Sequence, residues 1–246
     1  MMGNEFNRLN AVARFKHLDE GITRDLNEIV NLAAQLCNTP VALITLIDED
    51  IQWFKASKGV NIDCTDREQA FCNYTIKQDS LMIVPDTSVD MRFIDNPLVK
   101  NDPFVRFYAG ATLTTKDGYA IGSLCILDFT PRELNEQQQN SLKVLSKQVM
   151  NLMELNRSLH MMQQQQDQIN IQNAALTRIA IIQSHELRRP VASLLGIMGL
   201  IKLEKYKTNH KYFDMLDQTI NELDEKICGI VRDSENTINI PLAILA

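Results

Sequence analysis

From Asn135 to Lys205 the chain has one proline, Pro190, and glycine only at Gly196 and Gly199, so little is left to interrupt a helix. Its apolar residues recur at helical spacing: Leu142, Leu145, Val149 and Leu152 step by three and four. After one phase break the stripe resumes as Leu155, Leu159, Met162, Gln166, Ile169, Asn173, Leu176 and Ala180. This is a heptad seam, and polar residues such as Gln166 and Asn173 weaken a coiled coil while fixing its register and strand number. The spacing predicts a long helix that needs a partner, with a parallel homodimer as the expected solution.

A second helix is expected from about Lys211 to Asp233, with Phe213, Leu216, Ile220, Leu223, Ile227 and Ile230 on one face. The short polar link Tyr206 to His210 forces the two helices antiparallel, so two chains would form a four-helix bundle. The tail from Asn239 to Ala246, NIPLAILA, is apolar and has no evident role.

Upstream, from about residue 22 to 130, short helical and strand signals alternate. Thr23 is placed to cap a helix whose apolar positions are Leu26, Ile29, Val30, Ala33 and Leu36. Val41 to Ile47 is too short for a buried helix and rich in β-branched residues, so it reads as a buried strand. Ile51 to Ser57 reads as its hairpin partner, and Leu81 to Val84 as a short strand. Tyr108 to Thr114 and Ala120 to Phe129 flank Asp117-Gly118, a pair suited to a tight turn. Antiparallel strands with helices at both ends make this part α+β.

Composition narrows the setting. The net charge of −6 over 246 residues argues against a general nucleic-acid surface. The apolar runs Val41 to Ile47 and Val191 to Ile201 fall well short of the ~20 residues that span a bilayer. No secretory leader is recognisable at the N-terminus. The five cysteines are scattered, odd in number and without a C-x-x-C pair, so neither a disulfide framework nor a metal site is expected. A cytoplasmic protein with no membrane span is the resulting expectation.

Ser184-His-Glu-Leu-Arg-Arg-Pro190 concentrates the chemistry. A proline inside a helix costs about 3 kcal/mol, and Pro190 frees the carbonyl of Glu186, beside His185. Arg188 and Arg189 lie three and four residues after His185, hence on its face of the helix. An imidazole nucleophile, an adjoining carboxylate and cations for phosphoryl oxygens are the parts that a phosphohistidine site needs.

These residues carry a resemblance. SHELRRPVASLLGIMGLI resembles the H-box of the dimerisation and phosphotransfer domain (HisKA type) of sensor histidine kinases, over about residues 172 to 236. The resemblance implies His185 as phosphoacceptor, Glu186 as the group that orients it and assists proton transfer, and Pro190 as the helix kink. Arg188 and Arg189 would then contact phosphate or an acidic partner. Arg189 departs from the family, which usually has Thr or Asn there to help position water for dephosphorylating a response regulator.

FCNYTI, LMIVPDTSVDMRFIDNPLV and RFYAGATLTTKDGYAIGSLCILDFTPREL together resemble the bacterial GAF sensor domain. That resemblance implies a six-stranded antiparallel sheet with helices on one face and a ligand pocket on the other. Trp53, Phe71, Cys72, Arg92, Phe93, Arg106 and Tyr108 are the candidate ligand contacts. The ligand would be an unidentified small molecule. No Cys precedes a His as in bilin-binding relatives, and His17 is the only histidine before residue 160, so neither bilin nor haem is expected. Oxidation at Cys72 or Cys125 is a further possibility.

The expected layout is therefore an α+β GAF domain over 18–134 and a coiled-coil signalling helix over 135–174. A phosphoacceptor helical hairpin over 175–236 forms a dimeric four-helix bundle, and an apolar tail covers 237–246. No Gly-rich nucleotide motif occurs in these residues, so no autonomous kinase activity and no resident cofactor or metal are expected. The resemblance implies phosphorylation of His185 by a histidine kinase catalytic domain in trans and transfer to a response regulator receiver domain. Two alternatives stay open: an adaptor that keeps the H-box for packing, or the front part of a complete sensor kinase.

Overall fold

The computed structural model describes residues 2–16, 19–203, 205 and 210–238. His17, residues 206–209 of the link, and the tail from residue 239 onward lie outside them.

Strand β1 (Val41–Ile47) is buried along its whole length because both faces of the sheet are covered. Its side chains alternate between two cores, Ala42, Ile44 and Leu46 entering one and Val41, Leu43 and Ile47 the other. Antiparallel to it run β2 (Ile51–Lys58) on one side and β6 (Ala120–Asp128) on the other. With β3 (Cys64–Asp66), β4 (Leu81–Val84) and β5 (Phe107–Thr114) they form a six-stranded antiparallel sheet in the order β3-β2-β1-β6-β5-β4. The turn between β5 and β6 places Gly118 at φ 87°, the left-handed conformation that glycine adopts without strain.

Helices α1 (Met2–Ala13) and α2 (Glu20–Cys37) cover one face. The first turns of α5 (Glu136–Leu203) join them: Leu142, Val149 and Met153 are fully buried in the same core as Leu26 and Phe107. The stripe from Leu142 to Leu152 is thus used against the sheet, and the phase break before Leu155 marks where α5 leaves that core. The second face carries the short helices α3 (Cys72–Thr75) and α4 (Pro97–Lys100), packed around Phe71, Phe93 and Tyr108.

Two features were not anticipated by periodicity. Asp19, and not Thr23, caps α2: its Oδ1 accepts from the Ile22 N–H, while the Thr23 hydroxyl donates back to the Asp19 carbonyl. Helix α1 is anchored by a buried arginine, Arg8, which donates to the Ile47 and Asp48 carbonyls and to Glu5. Arg67 also binds Glu5 at 2.8 Å. The Arg8 hydrogen bond, helped by Arg67 against the opposing effect of burial, holds the Glu5 carboxyl down at about 2.

The chain divides into a unit of residues 1–163 and a unit of residues 164–246. Helix α5 is 68 residues long and continues through Pro190, and α6 (His210–Ile238) follows it as a helical hairpin. Within the hairpin Pro190, Ile197 and Ile201 are buried, whereas Leu195, Leu203, Phe213 and Ile220 are exposed. Among the described residues no helix is long and apolar enough to cross a membrane.

Candidate functional site

On the sheet face away from α1 and α2 the alternating side chains leave a cavity of about 220 Å³. Val41 and Leu43 of β1, Tyr108 of β5, and Cys125 and Leu127 of β6 form its floor. Gln52 and Phe54 come from β2, and Phe71 with Cys72 from the start of α3; Val60, Ile62, Leu98 and Val105 supply further apolar wall. No Lys, Arg, His, Asp or Glu lies among the lining residues, and the polar groups there are Gln52, Thr65, the tyrosine hydroxyl and two thiols. Such a lining suits a small neutral molecule; a charged one would be desolvated without a counter-charge. A cavity of 150 Å³ holds benzene, so this one suits about one substituted ring, far less than a tetrapyrrole.

The polar groups at the back are linked. The Tyr108 hydroxyl and the Thr75 hydroxyl share a hydrogen bond of 2.6 Å, and Tyr108 also lies 3.4 Å from the Cys72 sulfur. Gln52 Nε2 donates to the same sulfur at 3.4 Å, and the Cys125 sulfur is 3.6 Å away. Burial pushes the Cys72 thiol up, but hydrogen bonds from Cys125, Ser123, Thr45 and Tyr108 outweigh it and leave the thiol below its ordinary value. Cys125 is pushed well up, by its hydrogen bond to Cys72 and by burial, and burial raises Tyr108. Gly110 leaves room for this cluster, because a Cβ there would run into the Tyr108 hydroxyl.

Of the residues singled out in the sequence, Phe71, Cys72 and Tyr108 meet at the cavity. Phe93 packs behind them, fully buried with its ring 4.8 Å from that of Phe71. Trp53 packs towards the opposite core and donates to Asp48, Arg92 forks onto Asp90, and Arg106 donates to the Val99 and Val105 carbonyls. These three do not lie among the lining residues. Gln52, Val105 and Cys125 do, although sequence reading did not place the first two there. They are far apart in the chain, and only strand pairing brings them together.

His185, Glu186, Arg188 and Arg189 all lie on α5 with exposed side chains, five residues or fewer before the buried Pro190. Helical spacing puts His185, Arg188 and Arg189 on one face of α5, and all three are exposed. Among the described residues no group of three or more His, Cys, Asp or Glu side chains is placed to hold a metal ion.

Residues 23–153 match the family described as GAF domain. A cyclic di-GMP phosphodiesterase of Pseudomonas aeruginosa is 42% identical over 129 residues, which cover 52% of this chain and 22% of that protein. The chain therefore spans about a fifth of the length of this curated relative. Among solved structures, the GAF domain of a phosphoenolpyruvate-protein phosphotransferase from Coxiella burnetii is 11% identical, with a TM-score of 0.49, over 64% of this chain and 96% of its own. A domain of a Sinorhizobium meliloti protein described as a two-component sensor histidine kinase is 13% identical, with a TM-score of 0.46, over 59% of this chain and 99% of its own.

Proposed function

The chain belongs to the GAF domain family, and we propose that its sensor domain controls a dimeric histidine phosphoacceptor in a two-component signalling protein. A small neutral molecule in the cavity biases how the first turns of α5 sit on the sheet. The helix passes that bias to a four-helix bundle made by two copies of the hairpin. In that bundle His185 takes a phosphoryl group from a histidine kinase catalytic domain in trans and yields it to the aspartate of a response regulator. Glu186 orients the imidazole and takes part in proton transfer, and Arg188 with Arg189 neutralises phosphoryl oxygens or meets an acidic receiver surface.

One observation carries this reading: α5 packs Leu142 into the core beneath the sheet and stays helical without a break to His185, whose side chain is exposed. A ligand can shift an output only through a difference in its affinity for two states of the connecting element, and α5 is that element.

The test is to incubate the chain with labelled ATP, alone and with an active histidine kinase catalytic domain. Acid-labile label is expected only with the partner and only on His185. Label that never appears, or that persists in His185→Gln, contradicts the reading.

A further inference from the structure

We propose that Cys72 and Cys125 are a dithiol pair that hydroperoxide oxidises to a disulfide at the back of the cavity. The inference rests on the cavity being the sensing site, and it names a way in which that site is regulated.

The placement of the five cysteines separates these two from the rest. Cys64 and Cys228 are exposed, and Cys37 is buried in the opposite core, where burial pushes its thiol up to about 11. Cys72 and Cys125 are buried against protein but both face the cavity, with sulfurs 3.6 Å apart. A disulfide needs about 2.05 Å, so the sulfurs must approach by only about 1.5 Å. Gln52 and Tyr108 both direct donors at the Cys72 sulfur, which favours charge there and makes Cys72 the attacking thiolate. Cys125, held protonated beside it, is the resolving thiol. Two thiols that served only as small core hydrophobes would need neither a shared opening to a cavity nor two hydrogen bonds on one sulfur. A hydroperoxide is small and neutral, as the uncharged lining requires.

The chemistry balances in two steps. The Cys72 thiolate attacks one oxygen of hydrogen peroxide; the O–O bond breaks, Cys72 becomes a sulfenic acid, and the released hydroxide takes up the proton that the thiol had lost. Cys125 then attacks the sulfenic sulfur; the S–O bond breaks, the S–S bond forms, and the second water leaves with the Cys125 proton. In sum two thiols and one peroxide give one disulfide and two waters. The product ties α3 to β6 and consumes the Cys72 thiol to which Tyr108 and Gln52 donate, which changes the cavity wall.

The test uses the whole chain carrying C64S and C228S, which leaves three of the five thiols. After peroxide treatment of the folded protein, thiols counted under denaturing conditions should fall from three to one. Non-reducing digestion should yield a peptide linking Cys72 to Cys125, in this variant and in the unsubstituted chain. C125S should stop at a dimedone-reactive Cys72. A count that stays at three, or a loss that falls on Cys37, overturns the proposal. Calorimetric titration of the reduced protein with indole keeps the two readings apart. Indole binding without the linked peptide removes the dithiol proposal and leaves the cavity reading. The linked peptide without indole binding does the reverse.

Discussion

Helix α5 has two stretches of similar apolar spacing and opposite circumstance. Leu142, Val149 and Met153 are 0% exposed, closed over by the sheet and α2. Leu155, Leu159 and Leu176, a few turns on along the same helix, are 56–57% exposed. The heptad pattern alone does not distinguish them, because an apolar residue every third or fourth position serves either a sheet or a second helix. The difference teaches where one chain is sufficient. Up to Met153 the apolar stripe is covered within the chain; beyond it Leu155, Leu159 and Leu176 of α5 and Phe213 and Ile220 of α6 are exposed, and the proposed homodimer would cover them with a second copy.

Truncation on the two sides of that boundary should have unequal consequences. Leu142→Ala opens a cavity in the core and should destabilise the sheet unit by about 2–5 kcal/mol. Trp53, the only tryptophan, lies in β2 and reports that transition by fluorescence in urea. Equal urea midpoints for Leu142→Ala and the unsubstituted chain would erase the distinction.

Inside the sheet unit, Tyr108→Phe removes the hydroxyl paired with Thr75 and aimed at Cys72. A loss of about 1–2 kcal/mol is expected by the same measurement, because a buried partner is left unsatisfied.

Glu5 gives a smaller, pH-dependent effect. Its folded value of about 2 lies below the ordinary 4.5, so the stability it contributes is present above pH 4.5 and is lost as pH falls towards 2. Its side chain is 43% exposed, which keeps the contribution under about 1 kcal/mol. Glu5→Gln should therefore cost stability at neutral pH, and the gap to the unsubstituted chain should close between pH 4.5 and 2. A gap that widened on acidification would contradict the assigned ion pairs. Smallest of all for the sheet unit is Leu159→Ala, expected to stay within about 0.5 kcal/mol while weakening dimerisation.

Much of this was legible beforehand, for identifiable reasons. Val41–Ile47 and Leu81–Val84 stand where β-branched runs between turn residues placed them, and β5 and β6 agree to within one residue at each end. Strand β3 was missed because three residues carry no measurable alternation. Helix α1 was missed because its anchor is a buried arginine, a residue type that periodicity assigns to solvent. For the cavity, Phe71, Cys72 and Tyr108 were within reach of motif resemblance. Gln52 and Val105 became visible only once strand register brought them to the same face. Arg92 is not a ligand contact because Asp90, two residues earlier, holds its guanidinium, a pairing that motif resemblance does not show.

That α5 changes duty after Met153 is tested most directly by sedimentation of the whole chain at micromolar concentration. The unsubstituted protein should sediment at twice the 28.0 kDa of one chain. A variant carrying L155S, L159S and L176S should sediment at 28.0 kDa with the Trp53 transition unchanged. An unsubstituted protein that sediments at 28.0 kDa under those conditions would contradict the dimeric seam, and with it the four-helix bundle proposed to hold His185.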